Sequence, residues 1–326
     1  MKLPGSLVLA ALVALAGCEK DGMPERSSGA LRPPEAALLA HLPAGNALLF
    51  GGNYLRLQDF LRSSPFARLM GSVEQLSPGM TEWSRCFLDT SPDLDMMGAV
   101  AYGRDGLIMR YVMKGFDVAQ LERCAARAGF TVRVDPDRAY AAIDMTGPLG
   151  TITAGYLALA DGALLTRTVT QLPPTTLVPP PTTRADLEAD VAAAARENAT
   201  ADATLVAELG RVDRRHAMWY VGDATGTPLA DKVGRVRGWV DLDRGLAFEL
   251  SVEVVDRAMA DEIARGIPEL KRQAGALGKE VGDVVRGLRF ERKGDRLRFG
   301  LTISDRQLEA LLDQMAPFMG GAGGMP

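Results

Sequence analysis

The residue types that most often do chemistry are scarce in this chain of 326 residues, which has two histidines, His41 and His216, and three cysteines, Cys18, Cys86 and Cys124. A zinc site needs His, Cys or carboxylate ligands clustered at short spacing. His41 and His216 instead stand far apart, each in the apolar stretch that opens one half of the chain, and they read as structural. No serine lies in a G-x-S-x-G elbow and no S-x-x-K occurs, so the common acyl-transfer nucleophiles are missing. "GALGKEVG" (275–282) has the glycines and lysine of a phosphate loop. It lacks the hydroxyl residue after the lysine and the distant first glycine.

Acidic pairs come next. Asp93 and Asp95, Asp135 and Asp137, and Asp241 and Asp243 each form a D-x-D beside a predicted turn, where aspartate caps the local backbone. Calcium would require more oxygen ligands within about a dozen residues and a terminal glutamate; "DTSPDLD" (89–95) comes nearest and falls short. These patterns yield no catalytic residue, no metal ligand and no cofactor site.

Two other groups could make a binding surface. Arg235, Arg237, Arg286, Arg289, Arg292, Arg296 and Arg298 make the last third basic. On alternating strands they would face solvent beside Glu249, Glu253 and Glu291, and such cross-strand pairs stabilise a sheet modestly. Anionic lipid headgroups or glycan would be the matching ligands if the face binds. In the first half, Met109, Tyr111 and Met113 share one parity with Leu107 and hence one face of a strand. Flexible thioethers suit an adaptable apolar surface, which makes these three the candidate lining for an apolar ligand. The competing reading is an irregular core.

The cysteines point to two kinds of covalent chemistry. Met1 and Lys2 precede an apolar run from Leu7 to Ala16, then small Gly17 and Cys18, which is a signal-peptide outline. The run is well short of the roughly 18–20 residues needed to span a bilayer. Leu15-Ala16-Gly17-Cys18 resembles the lipobox of bacterial lipoproteins. The resemblance implies cleavage after Gly17 and a diacylglycerol on the Cys18 thiol, and two or more acyl chains hold a protein on a membrane stably at about 0.8 kcal/mol per buried CH₂. Glu19 stands where that class places aspartate for inner-membrane retention, so the resemblance implies the periplasmic face of the outer membrane. In an oxidising compartment, Cys86 and Cys124 favour a disulfide over a metal site, with two separate buried thiols as the alternative.

Composition agrees with a folded body: 47% hydrophobic and 24% charged residues, with a net charge of −4. A nucleic-acid binder would show a basic balance. After the signal peptide (1–17), residues 18–34 are polar and rich in Gly, Pro and Ser, as in a flexible tether. "LPPTTLVPPPTTR", ending at residue 184, holds five prolines. That segment (172–184) reads as a linker or long loop. Residues 317–326 read as a disordered tail.

The elements that must position these residues show an internal likeness. "LLAHL" (38–42) pairs with "LVAEL" (205–209), "NALLFGGN" (46–53) with "HAMWYVGD" (216–223), "GLIMRYVMKGFDVAQ" (106–120) with "GLAFELSVEVVDRAM" (245–259), and "VRVDPDR" (132–138) with "FERKGDR" (290–296), always in the same order. Leu246, Phe248, Leu250, Val252 and Val254 alternate with polar residues, as do Leu297, Phe299, Leu301 and Ile303, which predicts half-buried strands. Met259, Ile263, Ile267, Leu270, Ala274, Leu277, Val281 and Val284 recur at helical spacing, with Gly266 and Pro268 expected to break or kink the helix. Asp256 and Asp305 are the expected N-caps.

Each half then reads as strand, helix, hairpin, helix, hairpin, and a helix over 305–316 closes the second. The expected fold is α+β, two tandem pseudo-repeats of antiparallel sheet covered by helices. The first repeat spans 35–171 with an insertion at 54–93, and the second spans 185–316. "HLPAGNALLFGGNYLRLQDFL" (41–61) after a tether is similar to segments that begin a duplicated α+β unit in bacterial envelope lipoproteins, which implies an architecture and no activity. The functional expectation is a membrane-anchored, non-enzymatic binding or assembly component with an envelope protein as partner. A carrier of a lipid or other apolar ligand is the first alternative, and an enzyme with an unrecognised site the second.

Overall fold

The computed structural model describes residues 29–53, 62–63, 74, 78–90, 94–103, 106–147, 150–170, 180–225, 227–242 and 245–319. The signal segment, Cys18, most of the tether, residues 172–179, Asp93, Asp243 and the tail from residue 320 lie outside the described residues.

The chain begins with α1 (Pro33–Leu39) and β1 (Leu48–Asn53), followed by α2 (Met80–Thr90), β2 (Asp95–Gly103), β3 (Gly106–Lys114) and α3 (Val118–Ala128). A meander of β4 (Thr131–Val134), β5 (Tyr140–Gly147), β6 (Gly150–Ala158) and β7 (Leu164–Thr170) completes the first half. The second half has α4 (Arg184–Arg196), α5 (Ala203–Leu209), β8 (Met218–Asp223), β9 (Val233–Asp241), β10 (Gly245–Val254), α6 (Arg257–Gln273), α7 (Lys279–Arg286), β11 (Arg289–Lys293), β12 (Arg296–Ser304) and α8 (Asp305–Met319).

All strands join one 12-stranded antiparallel sheet in the order β11-β12-β10-β9-β8-β1-β2-β3-β7-β6-β5-β4. The fold is therefore α+β, with β1 and β8 pairing at the centre. The hairpin β6–β7 has no counterpart in the unit expected from the sequence, and β7 rather than β5 pairs with β3.

Strand alternation sorts side chains onto two faces. The first face carries Leu49, Met97, Val112, Leu165, Trp219 and Val221, which pack with Leu38 and Leu39 of α1, Leu187 of α4, and Leu205 and Leu209 of α5. On the second face, Met113, Ile143 and Leu164 pack with α2 and α3 through Cys86, Leu121 and Cys124. Farther along that face, Leu297, Phe299, Leu301 and Ile303 pack with Ala260 and Ile267 of α6, Val284 of α7 and Leu311 of α8.

Local chemistry sets the helix ends, with three departures from expectation. Asp256 caps α6 by accepting from the Ala258 amide at 2.8 Å. At α8 the cap is Ser304, whose hydroxyl accepts from the Gln307 amide, while Asp305 is the first helical residue. Helix α6 runs through Gly266 and Pro268 and gives way to a 3₁₀ turn at Ala274–Leu277. A helix interior proline costs one backbone bond and some crowding; burial of Ile267 against the sheet offsets that loss. Helix α8 continues to Met319, past the expected start of the tail.

Candidate functional site

The first face changes character between its two ends. From β6 to β8 it is largely apolar and lies under α1, α4 and α5, with Arg110 and Arg167 pairing with Asp190 of α4 inside that layer. Beyond β8 the helices α6, α7 and α8 pack on the opposite face, and the first face of β9–β12 is polar. Arg237 on β9, Ser251 on β10, Arg298 on β12 and Glu291 on β11 are successive cross-strand partners. One step along, Glu253, Arg296 and Lys293 form a second row.

These rows line an open cleft of about 520 Å³, walled by Glu253, Glu291, Lys293, Gly294, Asp295, Arg296 and Arg298. Its chemistry is that of paired ions. Arg235 grips Glu253 through two nitrogens at 3.0 and 3.2 Å, and Arg298 donates to Glu249 at 2.7 Å and to Glu291 at 3.4 Å. Beside the cleft and outside its lining, Glu208 of α5, 1% exposed, accepts from Arg237 at 2.8 Å and also pairs with Arg235 and Arg211. Burial pushes the Glu208 carboxyl up, and the Arg237 hydrogen bond with the charges of Arg237 and Arg211 more than offsets this, so it is held below the usual range. It stays ionised at neutral pH. Guanidinium forks matched to carboxylates keep both sets of groups oriented, so the cleft offers directed donors and acceptors to a polar ligand.

The basic residues read from the sequence do not all meet here. Arg296 and Arg298 line the cleft, with Arg235 and Arg237 next to it around Glu208, but Arg286 pairs with Asp283 on α7 and Arg292 with Asp261 on α6. Nor is the face fully solvated: Arg237 and Arg298 are 7% and 9% exposed. The helix that closes over Arg237 carries Glu208, inside the apolar "LVAEL". A lone carboxylate within a buried helical stripe was the available signal.

Of the candidate apolar lining, Met113 is buried in the core against α2 and α3. Met109 and Tyr111 are half-buried neighbours, with the Tyr111 hydroxyl donating to Met109 Sδ at 2.8 Å. Cys86 and Cys124 are bonded to each other and fully buried, joining α2 to α3. Asp135 and Asp137 both hold Arg184 at the start of α4, at 2.7 and 2.9 Å, while Asp137 also caps its turn at the Ala139 amide. His41 meets Asp161 at 3.1 Å. His216 stacks on Trp239 at 3.6 Å and meets Asp241 at 3.1 Å. Among the described residues, no group of three or more His, Cys, Asp or Glu could hold a metal ion. No described helix is long and apolar enough to cross a membrane.

No family model matches the chain, and no curated protein matches it. Among solved structures it is similar to TP0453, a treponemal envelope lipoprotein. Crystal form III gives a TM-score of 0.46 at 9% identity over 85% of this chain and 98% of that one. Crystal form I gives 0.43 at 10% identity over 85% and 97%, and form IV gives 0.43 at 9% over 86% and 96%.

Proposed function

We propose that the protein is a lipid-anchored component of the bacterial envelope, held through Cys18 at the periplasmic face of the outer membrane, which works by binding a polar partner rather than by catalysis. The observation that carries this reading is the cleft on the first face of β9–β12, about 520 Å³ and lined by three cations and three carboxylates. Acid and base catalysis use groups poised to change protonation near the working pH. In the cleft Arg298 is already seated on Glu249, and Glu253 is already held by Arg235. Such a surface is organised before its partner arrives, which lowers the ordering cost of association. The anchor reading rests on the lipobox resemblance.

Two measurements test the two parts. Exporting the chain from residue 18 onward as Cys18→Ala behind a secretory signal that is cleaved without lipidation should move the protein from the membrane to the soluble periplasmic fraction; retention in the membrane overturns the anchor. A photo-crosslinking side chain at position 293, beside the cleft, should capture one defined partner in cells, with capture lost in Arg296→Glu. The same side chain at position 265 on α6 is the control. Equal capture at 293 and 265, or none at 293, overturns the binding cleft.

A further inference from the structure

Where the tether meets the body, one buried arginine fixes its path. Arg214, 4% exposed, donates to the carbonyls of Gly29 at 3.2 Å and Ala30 at 2.7 Å, to that of Leu209, and to Glu35 Oε1 at 3.2 Å. Leu31 packs against the first-face core. Gly210 lies against Gly29, its Cβ position 3.6 Å from the Gly29 carbonyl oxygen.

Three more arginines surround this point with their heads in water. The side chains of Arg32, Arg211 and Arg215 are 66%, 53% and 68% exposed. Each rests on a buried carboxylate, Glu35, Glu208 and Asp213 respectively, at 5%, 2% and 4% side-chain exposure. The negative partners are therefore beneath the surface, and the guanidiniums are what it presents. This cluster stands out in a chain whose net charge is −4, which an anionic surface would otherwise repel.

We propose that Arg32, Arg211 and Arg215 seat the protein on the anionic lipid headgroups of the membrane that holds its anchor. The proposal rests on the reading that Cys18 is lipidated. From Cys18 to Gly29 is eleven residues, no more than about 40 Å of extended chain and roughly 20 Å as a flexible coil. The arginine cluster is thus tethered close to the bilayer, where the surface attraction acts within about a Debye length, ~8–10 Å. Guanidinium forks match phosphate oxygens. The acyl chains supply attachment, and the arginines supply orientation, turning the α1–α5 side of the body towards the bilayer.

The test uses the chain from residue 18 onward with Cys18→Ser, so that neither an acyl chain nor the apolar leader masks the headgroup contribution, and measures partition onto phosphatidylcholine vesicles with and without one-third phosphatidylglycerol. Each arginine near the surface is worth about five-fold in binding. The expected preference for the anionic vesicles is on the order of 100-fold for three of them, lost in Arg32→Gln/Arg211→Gln/Arg215→Gln and kept in the corresponding lysine variant. Equal partition onto both vesicles overturns the proposal. So does an equal loss from the control Arg265→Gln/Arg272→Gln/Arg286→Gln on α6 and α7. Should the glutamine variant fail to fold, hydrogen exchange on the arginine-bearing chain decides. Vesicle-induced protection confined to 30–35 and 208–216 supports the seat, and protection elsewhere or none overturns it. The intact mass of the natural protein from its membrane tests the anchor separately: an unmodified Cys18 would overturn the anchor and leave the vesicle result to be judged alone.

Discussion

Phe50 and Tyr220 stand directly opposite each other on β1 and β8, where the two halves of the sheet join. The ladder is symmetric about them: Leu48 faces Gly222 and Gly52 faces Met218. Each ring lies over a glycine on its outer neighbour. A Cβ on Gly98 would fall 2.1 Å from Phe50 Cζ, and one on Gly238 would fall 2.4 Å from the Tyr220 hydroxyl. At Gly98 the ring fills the space of a side chain, and at Gly238 the ring and the Glu249 carbonyl oxygen, 2.3 Å from the Cβ position, fill it together. Gly98→Ala and Gly238→Ala should each destabilise by about 1–3 kcal/mol through overpacking. In urea unfolding, Phe50→Ala/Gly98→Ala should cost less than the sum of its single changes by at least about 0.5 kcal/mol; strict additivity would contradict the close contact.

Glu208 is the buried carboxylate that gathers Arg211, Arg235 and Arg237 beside the cleft. Removing it takes from buried Arg237 the carboxylate that accepts from it at 2.8 Å. Breaking such a pair costs about 3–5 kcal/mol, so Glu208→Ala should lower the unfolding free energy by that amount. Glu208→Ala/Arg237→Ala should recover part of the loss, as judged by the denaturation midpoint.

Asp213 gives the protein an acid-sensitive stability. Its hydrogen bond from Arg215, against the opposing effect of burial, holds the carboxyl down at about 2, while an unfolded aspartate titrates near ~3.9. The folded pKa is the lower one, so the stabilisation is fully present above about pH 4 and is lost as pH falls towards 2, on the order of 2 kcal/mol in all. The stability gap between the natural chain and Asp213→Asn should shrink over that interval. A gap unchanged between pH 7 and pH 2 would show that Asp213 is not the titrating group.

The Cys86–Cys124 bond closes a loop with a sequence separation of 38 residues and ties α2 to α3. On the chain-entropy model this restrains the unfolded chain by about 3–4 kcal/mol. Cys86→Ser/Cys124→Ser should therefore lower the thermal midpoint by roughly 10 °C, and proteolysis should start near residues 80–90, where α2 loses its covalent hold on α3.

Much of the fold was legible because periodicity is local. The alternation of Leu246 to Val254 and of Leu297 to Ile303 gave β10 and β12, and Asp256 gave a cap, all without knowledge of partners. The likeness of "NALLFGGN" to "HAMWYVGD" at an offset of 170 matches Phe50 with Tyr220, and these two residues stand opposite each other in the central ladder. What the sequence hid was long-range. The insertion of β7 beside β3 depends on register between strands some fifty residues apart, and local pattern carries no such information. In the cleft, the arginine–glutamate pairs on neighbouring strands were readable from alternation. Glu208 was not, since it reaches Arg237 from a helix that only the tertiary fold brings there. The arginines at the tether entry escaped notice because Arg32 lies in the stretch read as a flexible tether, while Arg211 and Arg215 fall between the matched segments "LVAEL" and "HAMWYVGD".

The proline segment offers a sharper test of how the halves depend on each other. Read along the sequence, 172–184 separates two similar units, and a chain cut there would give two folded fragments if each had its own core. The packing argues otherwise. Helix α4, which follows the segment, places Leu187 in the same cluster as Leu157 and Leu165 of the first half. It also carries Asp190, 5% exposed, which pairs with Arg110 of β3 at 2.8 Å. Arg184 at its start is held by Asp135 and Asp137 of the first half. Across the centre, Leu49 shares its cluster with Trp219 and Val221. A first fragment ending at residue 171 would lose α4 and expose β1 as an edge, leaving Arg110 buried without its aspartate, at a cost of several kcal/mol. Total stability of a domain is only about 5–15 kcal/mol. Neither fragment 35–171 nor fragment 185–316 should fold alone, and mixing them should restore the native circular dichroism spectrum. Two independently cooperative transitions from the separate fragments would show that each half holds a sufficient core after all.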